Sequence, residues 1–133
     1  MRVPTPNVSL IEFVFCAKKD LNIEKINSAF EDFSKKSKII EITKEKLVSI
    51  DFNHNPASSI IDASLTNVVG KNMGKISAWY DNEWGFSNRM CDIAISHILF
   101  EKPHSLSYHA EILPIFFPTT FVKLASIIDE AGL

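Results

Sequence analysis

Residues 8–33, VSLIEFVFCAKKDLNIEKINSAFEDF, contain the two patterns that decide the fold. In the first part, apolar residues recur at every second position and predict a strand over residues 8–18 with one face on a core: Ile11, Phe13, Phe15 and Ala17. The period then becomes helical, with Asn22 as the predicted N-cap and one apolar stripe: Ile23, Ile26, Ala29, Phe30 and Phe33. A strand followed by an amphipathic helix predicts a layered α+β or α/β unit.

The remaining residues add further short elements to this unit. Strands are predicted over residues 39–42, 47–52, 60–69 and 75–80, with a turn at 53–56 and a loop at 70–74. A second helix should begin at Asp81 or Asn82 and run to about residue 100. It has two apolar stripes, one with Phe86, Met90, Ile93 and Ala94, the other with Trp84, Cys91, Ile95, Ile98 and Leu99. Beyond Pro103, a last helix is predicted with Phe121, Leu124, Ala125 and Ile128 on one face.

Composition excludes several classes of function. The 133 residues carry a net charge of -2, which favours neither a nucleic-acid partner nor an anionic membrane. The apolar run over residues 112–122 is interrupted by prolines and falls short of the ~20 residues that span a bilayer, so we expect a cytoplasmic protein. Cys16 and Cys91 are expected to be reduced and packed in the core. The four histidines and two cysteines make no zinc spacing, and the four glycines make no dinucleotide-binding motif.

Three strings carry a resemblance to a known family. They are RVPTPNVS at residues 2–9, SIDFNHNP at residues 49–56 and WYDNEWGFSNR at residues 79–89. Together they resemble the C-terminal part of the catalytic domain of phosphorylating glyceraldehyde-3-phosphate dehydrogenases over residues 2–100. The resemblance implies an α+β fold, in which a partial antiparallel or mixed sheet has helices on one face. We therefore expect residues 1–100 to form part of that catalytic domain. Residues 101–133 are a tail to which the resemblance assigns no role, and the helix predicted near the end of the chain belongs to this tail.

The resemblance also implies roles for three residues. Arg2 would bind the phosphate of the triose substrate, since a guanidinium fork matches phosphate oxygens. Asn82 would contact the nicotinamide carboxamide of NAD, although a helix N-cap also explains an asparagine there. Phe86 would lie near the nicotinamide ring, and core packing accounts for it equally well. We expect Trp79 and Trp84 to be buried at a junction and Arg89 to form an ion pair or cap.

The family's catalytic cysteine, its histidine base and its Rossmann domain lie upstream of the residues that match here, so no residue of this chain is assigned to catalysis. We expect the chain to be inactive alone and to form a homo-oligomer. Three other hypotheses stay open. The chain is one half of a split enzyme completed by a separate Rossmann-domain chain, or a non-catalytic self-associating module, or a fragment of an erythrose-4-phosphate dehydrogenase. No metal, nucleic-acid or membrane partner is predicted.

Overall fold

The structure, a computed structural model, describes residues 3–99 and 127–128. Its strands and helices, in chain order, are β1 (Ser9–Cys16), α1 (Ile23–Ser34), β2 (Ile40–Thr43), a 3₁₀ turn (Ser49–Phe52), β3 (Ser59–Asp62), β4 (Asn67–Val69), β5 (Met73–Tyr80) and α2 (Trp84–Leu99). A mixed sheet with two helices confirms the predicted α+β class.

The sheet is built around β5. Its strand order is β1-β5-β3-β2, and β4 also pairs with β5. The pair β2–β3 is parallel, whereas the pairs that β5 makes with β1, β3 and β4 are antiparallel. In the longest pair, Phe13 lies opposite Ile76 and therefore points to the same face of the sheet.

The face that carries Phe13 and Ile76 is covered by α1. Ile26 and Phe30 of α1 are completely buried there. The cluster they belong to also contains Ile40, Ile61, Ile76, Ala78, Ile127 and Ile128. A second, smaller cluster lies near the end of β5, where Trp79 stacks on Phe52 with 5.3 Å between ring centroids.

Two local predictions are confirmed by the structure. Residues of β1 alternate between half-buried and exposed along the whole strand, as the period of two predicts. Asn22 caps α1, because its Oδ1 accepts a 2.7 Å hydrogen bond from the backbone N–H of Glu24.

Three elements of the structure differ in kind or in bounds from those that the sequence predicts. Residues 47–52 are no strand, since Ser49–Phe52 forms a 3₁₀ turn in which Asp51 Oδ2 accepts from the backbone N–H of Val48. The predicted strand over residues 60–69 is two strands, because Asp62 Oδ1 turns the chain by accepting from both the N–H and the hydroxyl of Ser64. The predicted loop over residues 70–74 ends early, because β5 begins at Met73.

Expected burial was wrong for three side chains. Cys16 and Cys91 are both exposed, Cys16 because it falls on the outer side of the β1 alternation. Trp84 is 46% exposed rather than buried at a junction. The face that α2 buries carries Gly85 and Arg89, so most of the two predicted apolar stripes lie outside it.

The C-terminal prediction is only partly within the described residues. Ile127 and Ile128 are helical and buried, but in the cluster under α1. The predicted stripe members Phe121, Leu124 and Ala125 lie outside the described residues. Among the helices of the described part, none is long and apolar enough to cross a membrane.

Candidate functional site

The site is organised around the carboxylate of Asp81, which follows the last residue of β5. Its Oδ2 accepts hydrogen bonds of 2.8 Å from the side-chain amide of Asn7 and from the backbone N–H of His54. Its Oδ1 accepts from the backbone N–H groups of Glu83 and Trp84, at 2.9 and 2.7 Å. Asp81 therefore ties the start of α2 to two other parts of the chain.

These hydrogen bonds keep the buried Asp81 charged. Asp81 is only 2% exposed. Burial alone would raise its pKa, but hydrogen bonds from Trp84, Asn7, His54 and Glu83 together outweigh burial and lower the pKa to about 2. An ionised carboxylate accepts four such bonds without donating any, which suits it to hold three chain segments together.

Two strained backbone positions flank this carboxylate. Val8, next to Asn7, has φ 71°, and His54 has φ 62°. Positive φ is uncommon for residues other than glycine and is most unfavourable for a β-branched residue such as Val8. Strained residues persist where surrounding contacts hold them in place. Here Asp81 Oδ2 accepts from the backbone N–H of His54 itself and from the side chain of Asn7, which precedes Val8.

An open cleft of about 810 Å³ lies beside the carboxylate. One wall is the proline-containing segment that begins at Val3 and runs into β1, and the other comes from the end of β5 and the residues after it, including Asn82 and Glu83. The cleft thus joins the first and the last of the three strings that carry the family resemblance, and Ser49 of the second string also lines it.

The three residues with predicted ligand roles are placed as follows. Asn82 is exposed on the wall of the cleft, and its Oδ1 accepts a 3.1 Å hydrogen bond from the Ser9 hydroxyl. Phe86, one helical turn later, is 48% exposed. Arg2 lies outside the described residues, although its neighbour Val3 lines the cleft.

The capping role considered for Asn82 belongs to Asp81 instead. At the start of α2, the backbone N–H groups of Glu83 and Trp84 both donate to Asp81 Oδ1. Among residues 3–99, no acceptor is hydrogen-bonded to the Asn82 Nδ2. Because Ser9 takes the amide oxygen, the amide nitrogen is left to donate toward the cleft, which fits the oxygen of a carboxamide.

Arg89 forms an ion pair, as predicted. Its guanidinium is buried, and Nε lies 2.9 Å from Oδ2 of Asp92, whose side chain is half exposed. This contact is an ion pair without hydrogen-bond geometry, and among the described residues neither Nε nor Nη1 of Arg89, nor the buried hydroxyl of Ser58, has a hydrogen-bond partner.

Sequence inspection missed the supporting residues. Asn7 was predicted only as a member of a matching string. His54 and Asn53, which accepts a 3.0 Å bond from Asn7, were predicted only as members of a matching string and of a turn. A signal was present, since asparagines cluster at both strings, but an amide cluster alone does not specify which carboxylate it binds.

The described residues fit one end of a nicotinamide cofactor and no more. They offer the Asn82 amide on the wall of the cleft and the exposed ring of Phe86 one helical turn away, but no glycine-rich turn to bind a pyrophosphate. Neither exposed cysteine lines the cleft. Within residues 3–99 and 127–128, no three His, Cys, Asp or Glu side chains are grouped as metal ligands would be. The arrangement can bind and orient, but it has no nucleophile with a base.

Comparison with known proteins gives consistent matches. The family model "Glyceraldehyde 3-phosphate dehydrogenase, C-terminal domain" matches residues 1–82. Glyceraldehyde-3-phosphate dehydrogenase 2 of Staphylococcus aureus strain Mu50 is 51% identical over 94 residues, which cover 71% of this chain and 27% of that protein. The chromosomal glyceraldehyde-3-phosphate dehydrogenase of Cupriavidus necator is 49% identical over 98 residues, covering 72% and 29%. The chain therefore spans less than a third of the length of these relatives.

Proposed function

Since this chain belongs to the glyceraldehyde-3-phosphate dehydrogenase family through its C-terminal domain, we propose that it supplies one part of the catalytic domain of an NAD-dependent glyceraldehyde-3-phosphate dehydrogenase and does not catalyse the reaction alone. The observation that supports this most is the Asp81 carboxylate, which holds the proline-containing segment and Asn82 against one cleft.

Asn82 has a positioning role in this proposal. The Ser9 hydroxyl donates to Oδ1, which fixes the orientation of the side-chain amide and points Nδ2 toward the ligand. Nδ2 would then donate to the carboxamide oxygen of the nicotinamide, and Phe86 would flank the ring. Bound there, NAD would supply the hydride acceptor for aldehyde oxidation.

Arg2 would bind the substrate phosphate. In the sequence it is the neighbour of Val3, which lines the cleft. A bidentate guanidinium–phosphate contact fixes both position and orientation. The triose phosphate would then have its charged end at Arg2 and its aldehyde toward the nicotinamide contact at Asn82.

The proposed lack of independent activity rests on the missing nucleophile. Aldehyde oxidation coupled to phosphorylation needs a thiolate and a base beside the hydride acceptor. Cys16 lies on the outer face of β1 and Cys91 on the outer side of α2, and neither lines the cleft. A polypeptide segment that carries the cysteine, the histidine and a Rossmann domain would have to complete the site.

The test has two arms. The purified full chain is assayed for NADH formation with glyceraldehyde 3-phosphate, NAD and inorganic phosphate, alone and after co-expression with the part of the S. aureus relative that precedes the matched region. We expect no turnover alone and turnover when both are present. An Asn82→Ala variant should then lower activity mainly through weaker NAD binding, whereas Ser28→Ala, an exposed substitution on α1, should leave it unchanged.

Several outcomes would decide against the proposal. Turnover by the chain alone that is lost in a Cys16→Ser or Cys91→Ser variant would place the nucleophile here. No turnover in the co-expressed pair, with both chains folded, would remove the catalytic role and favour the self-associating module. Faster turnover of erythrose 4-phosphate than of glyceraldehyde 3-phosphate by the active pair would reassign the substrate.

A further inference from the structure

Two residues far outside the family match complete the main core. Ile127 and Ile128 are 4% and 7% exposed. They belong to the same buried cluster as Ile26 and Phe30 of α1 and Ile61 of β3. The family model ends at residue 82, and the matched regions of the relatives cover 71–72% of this chain.

We propose that Ile127 and Ile128 belong to a C-terminal core segment of this chain, outside its family match, which stabilises the fold by completing within one molecule the apolar cluster that α1 and the sheet form. The proposal concerns an intramolecular interaction surface, and it is independent of the proposed catalytic role. It assigns a structural function to a part of the chain that the family resemblance leaves unassigned.

The surface that receives the segment is apolar on all its sides. Ile40 of β2, Ile61 of β3, and Ile76 and Ala78 of β5 belong to it, all 4% exposed or less. Removing a pair of isoleucines from such a cluster would expose these side chains to water or leave a cavity, and both outcomes are unfavourable.

The occupant is the chain's own segment rather than one from a second copy. The 27 residues between Leu99 and Ile127, by count from 100 to 126, can extend to roughly 90 Å. That reach exceeds the diameter of a domain of this size, roughly 30 Å. Binding within one chain also has a much higher effective concentration than binding between chains.

Direct contact is tested on the unaltered full chain. With isoleucine methyl groups isotopically labelled, nuclear Overhauser contacts are expected from Ile127 or Ile128 to the ring of Phe30 or to methyl groups of Ile26, Ile40, Ile61 or Ile76. A mixture of labelled and unlabelled chains distinguishes the source of the segment. Contacts within one chain support the proposal, whereas contacts only between chains, or their absence, overturn it.

Substitution supplies the energetic test. The double variant Ile127→Asp/Ile128→Asp should lower the thermal midpoint by on the order of 10 °C or more and reduce amide protection in α1 and β2. The matched control Val48→Asp/Ile50→Asp adds the same charge at positions that are 61% and 60% exposed, and it should shift the midpoint by roughly a few degrees only. Equal shifts in the two variants would overturn the proposal.

A milder pair of variants covers the case in which the aspartate variant does not fold. Ile127→Val/Ile128→Val removes one methylene from each side chain and should still lower the midpoint measurably, while Ile23→Val/Ile50→Val, at positions that are 39% and 60% exposed, should not. No difference between these two valine variants would contradict the core role of the segment.

Discussion

The side-chain amide of Asn7 donates a 2.8 Å hydrogen bond to Oδ2 of Asp81, across 74 residues of sequence. The same oxygen accepts from the backbone N–H of His54. One carboxylate therefore holds together the start of β1, the turn after the 3₁₀ segment and the start of α2. Much of the local order at the cleft should depend on the charge of this single group.

The first prediction concerns acid. The folded-state pKa of Asp81 is lowered from 3.8 to about 2, so its ionised form stabilises the fold above about pH 4, and this contribution is lost as the pH falls through about 2. It amounts to about 2 kcal/mol. Urea unfolding at a series of pH values should show that Asp81→Asn is less stable than the wild type at neutral pH and that the difference shrinks toward pH 2. The control Asp32→Asn, at an exposed position on α1, should follow the wild type. A constant difference across the whole range would contradict the assignment.

Glycine should be a better replacement for His54 than valine is, as judged by the stability of the fold. Its φ of 62° is costly for any side chain, and its ring makes only an edge contact with Trp84, at 5.4 Å between centroids. Thermal unfolding should rank His54→Gly above His54→Val by about 1–2 kcal/mol. At Val48, an exposed position with φ −120°, the order should be reversed, with valine above glycine. The same order at both positions would show that backbone strain at His54 is not the cause.

Gly85 should not tolerate a side chain. A Cβ there would lie 2.8 Å from the backbone oxygen of Ala57. Backbone cannot move aside as a flexible side chain does, so Gly85→Ala should destabilise the fold by about 1–3 kcal/mol, although alanine is the better helix former. Ser87→Ala, an exposed change on the same helix, should be neutral or slightly stabilising. If Gly85→Ala were also stabilising, α2 would have to lie farther from residue 57 than it does here.

Arg89 offers a test of a buried charge. Within residues 3–99 and 127–128, its Nε and Nη1 have no hydrogen-bond partner, and its ion-pair partner Asp92 is half exposed. Because the desolvation of the guanidinium is poorly compensated, Arg89→Met should leave stability unchanged or raise it by about 1 kcal/mol. Asp92→Asn should destabilise the wild type but not the Arg89→Met variant, which a double-mutant cycle by chemical unfolding would show. A marked loss of stability in Arg89→Met would indicate that the guanidinium has a favourable partner.

Local elements were predictable from sequence where the pattern needs no distant partner. The alternation of β1 and the Asn22 cap of α1 follow from spacing and from side-chain chemistry within a few residues. The 3₁₀ turn over Ser49–Phe52 was missed because a run of six residues with apolar members fits a short strand equally well. The split between β3 and β4 depends on one local side chain, Asp62, whose turn-forming role was overlooked.

Less of the candidate site could be predicted from the sequence. The resemblance placed Asn82 and Phe86 in a shared string, but nothing local in the string indicates that Asp81, rather than Asn82, caps α2. The partners of Asp81 come from residues 7 and 54, and such contacts have no periodicity in sequence. The prediction that both cysteines are buried was wrong for a related reason, because residue type alone does not say which face of a strand or helix meets the core.

The last prediction is that the chain self-associates through α2. Four large apolar side chains of this helix are 44–53% exposed: Trp84, Phe86, Met90 and Ile95. Full burial of one such side chain stabilises by about 1.5–3 kcal/mol. Covering the exposed half of all four would therefore contribute roughly several kcal/mol to the free energy of association. Light scattering coupled to gel filtration, with a reductant because both cysteines are exposed, should show mass rising with concentration.

Charge on the exposed side of α2 should weaken this association. The variant Met90→Glu/Ile95→Glu is expected to be monomeric over a wider concentration range than the wild type. Its control, Ser28→Glu/Ser87→Glu, adds the same charge at exposed polar positions and should associate nearly as the wild type does. If both variants became monomeric alike, net charge rather than the apolar side of α2 would govern assembly. A wild type that stays monomeric at every concentration would instead mean that water covers this side of the helix without a partner.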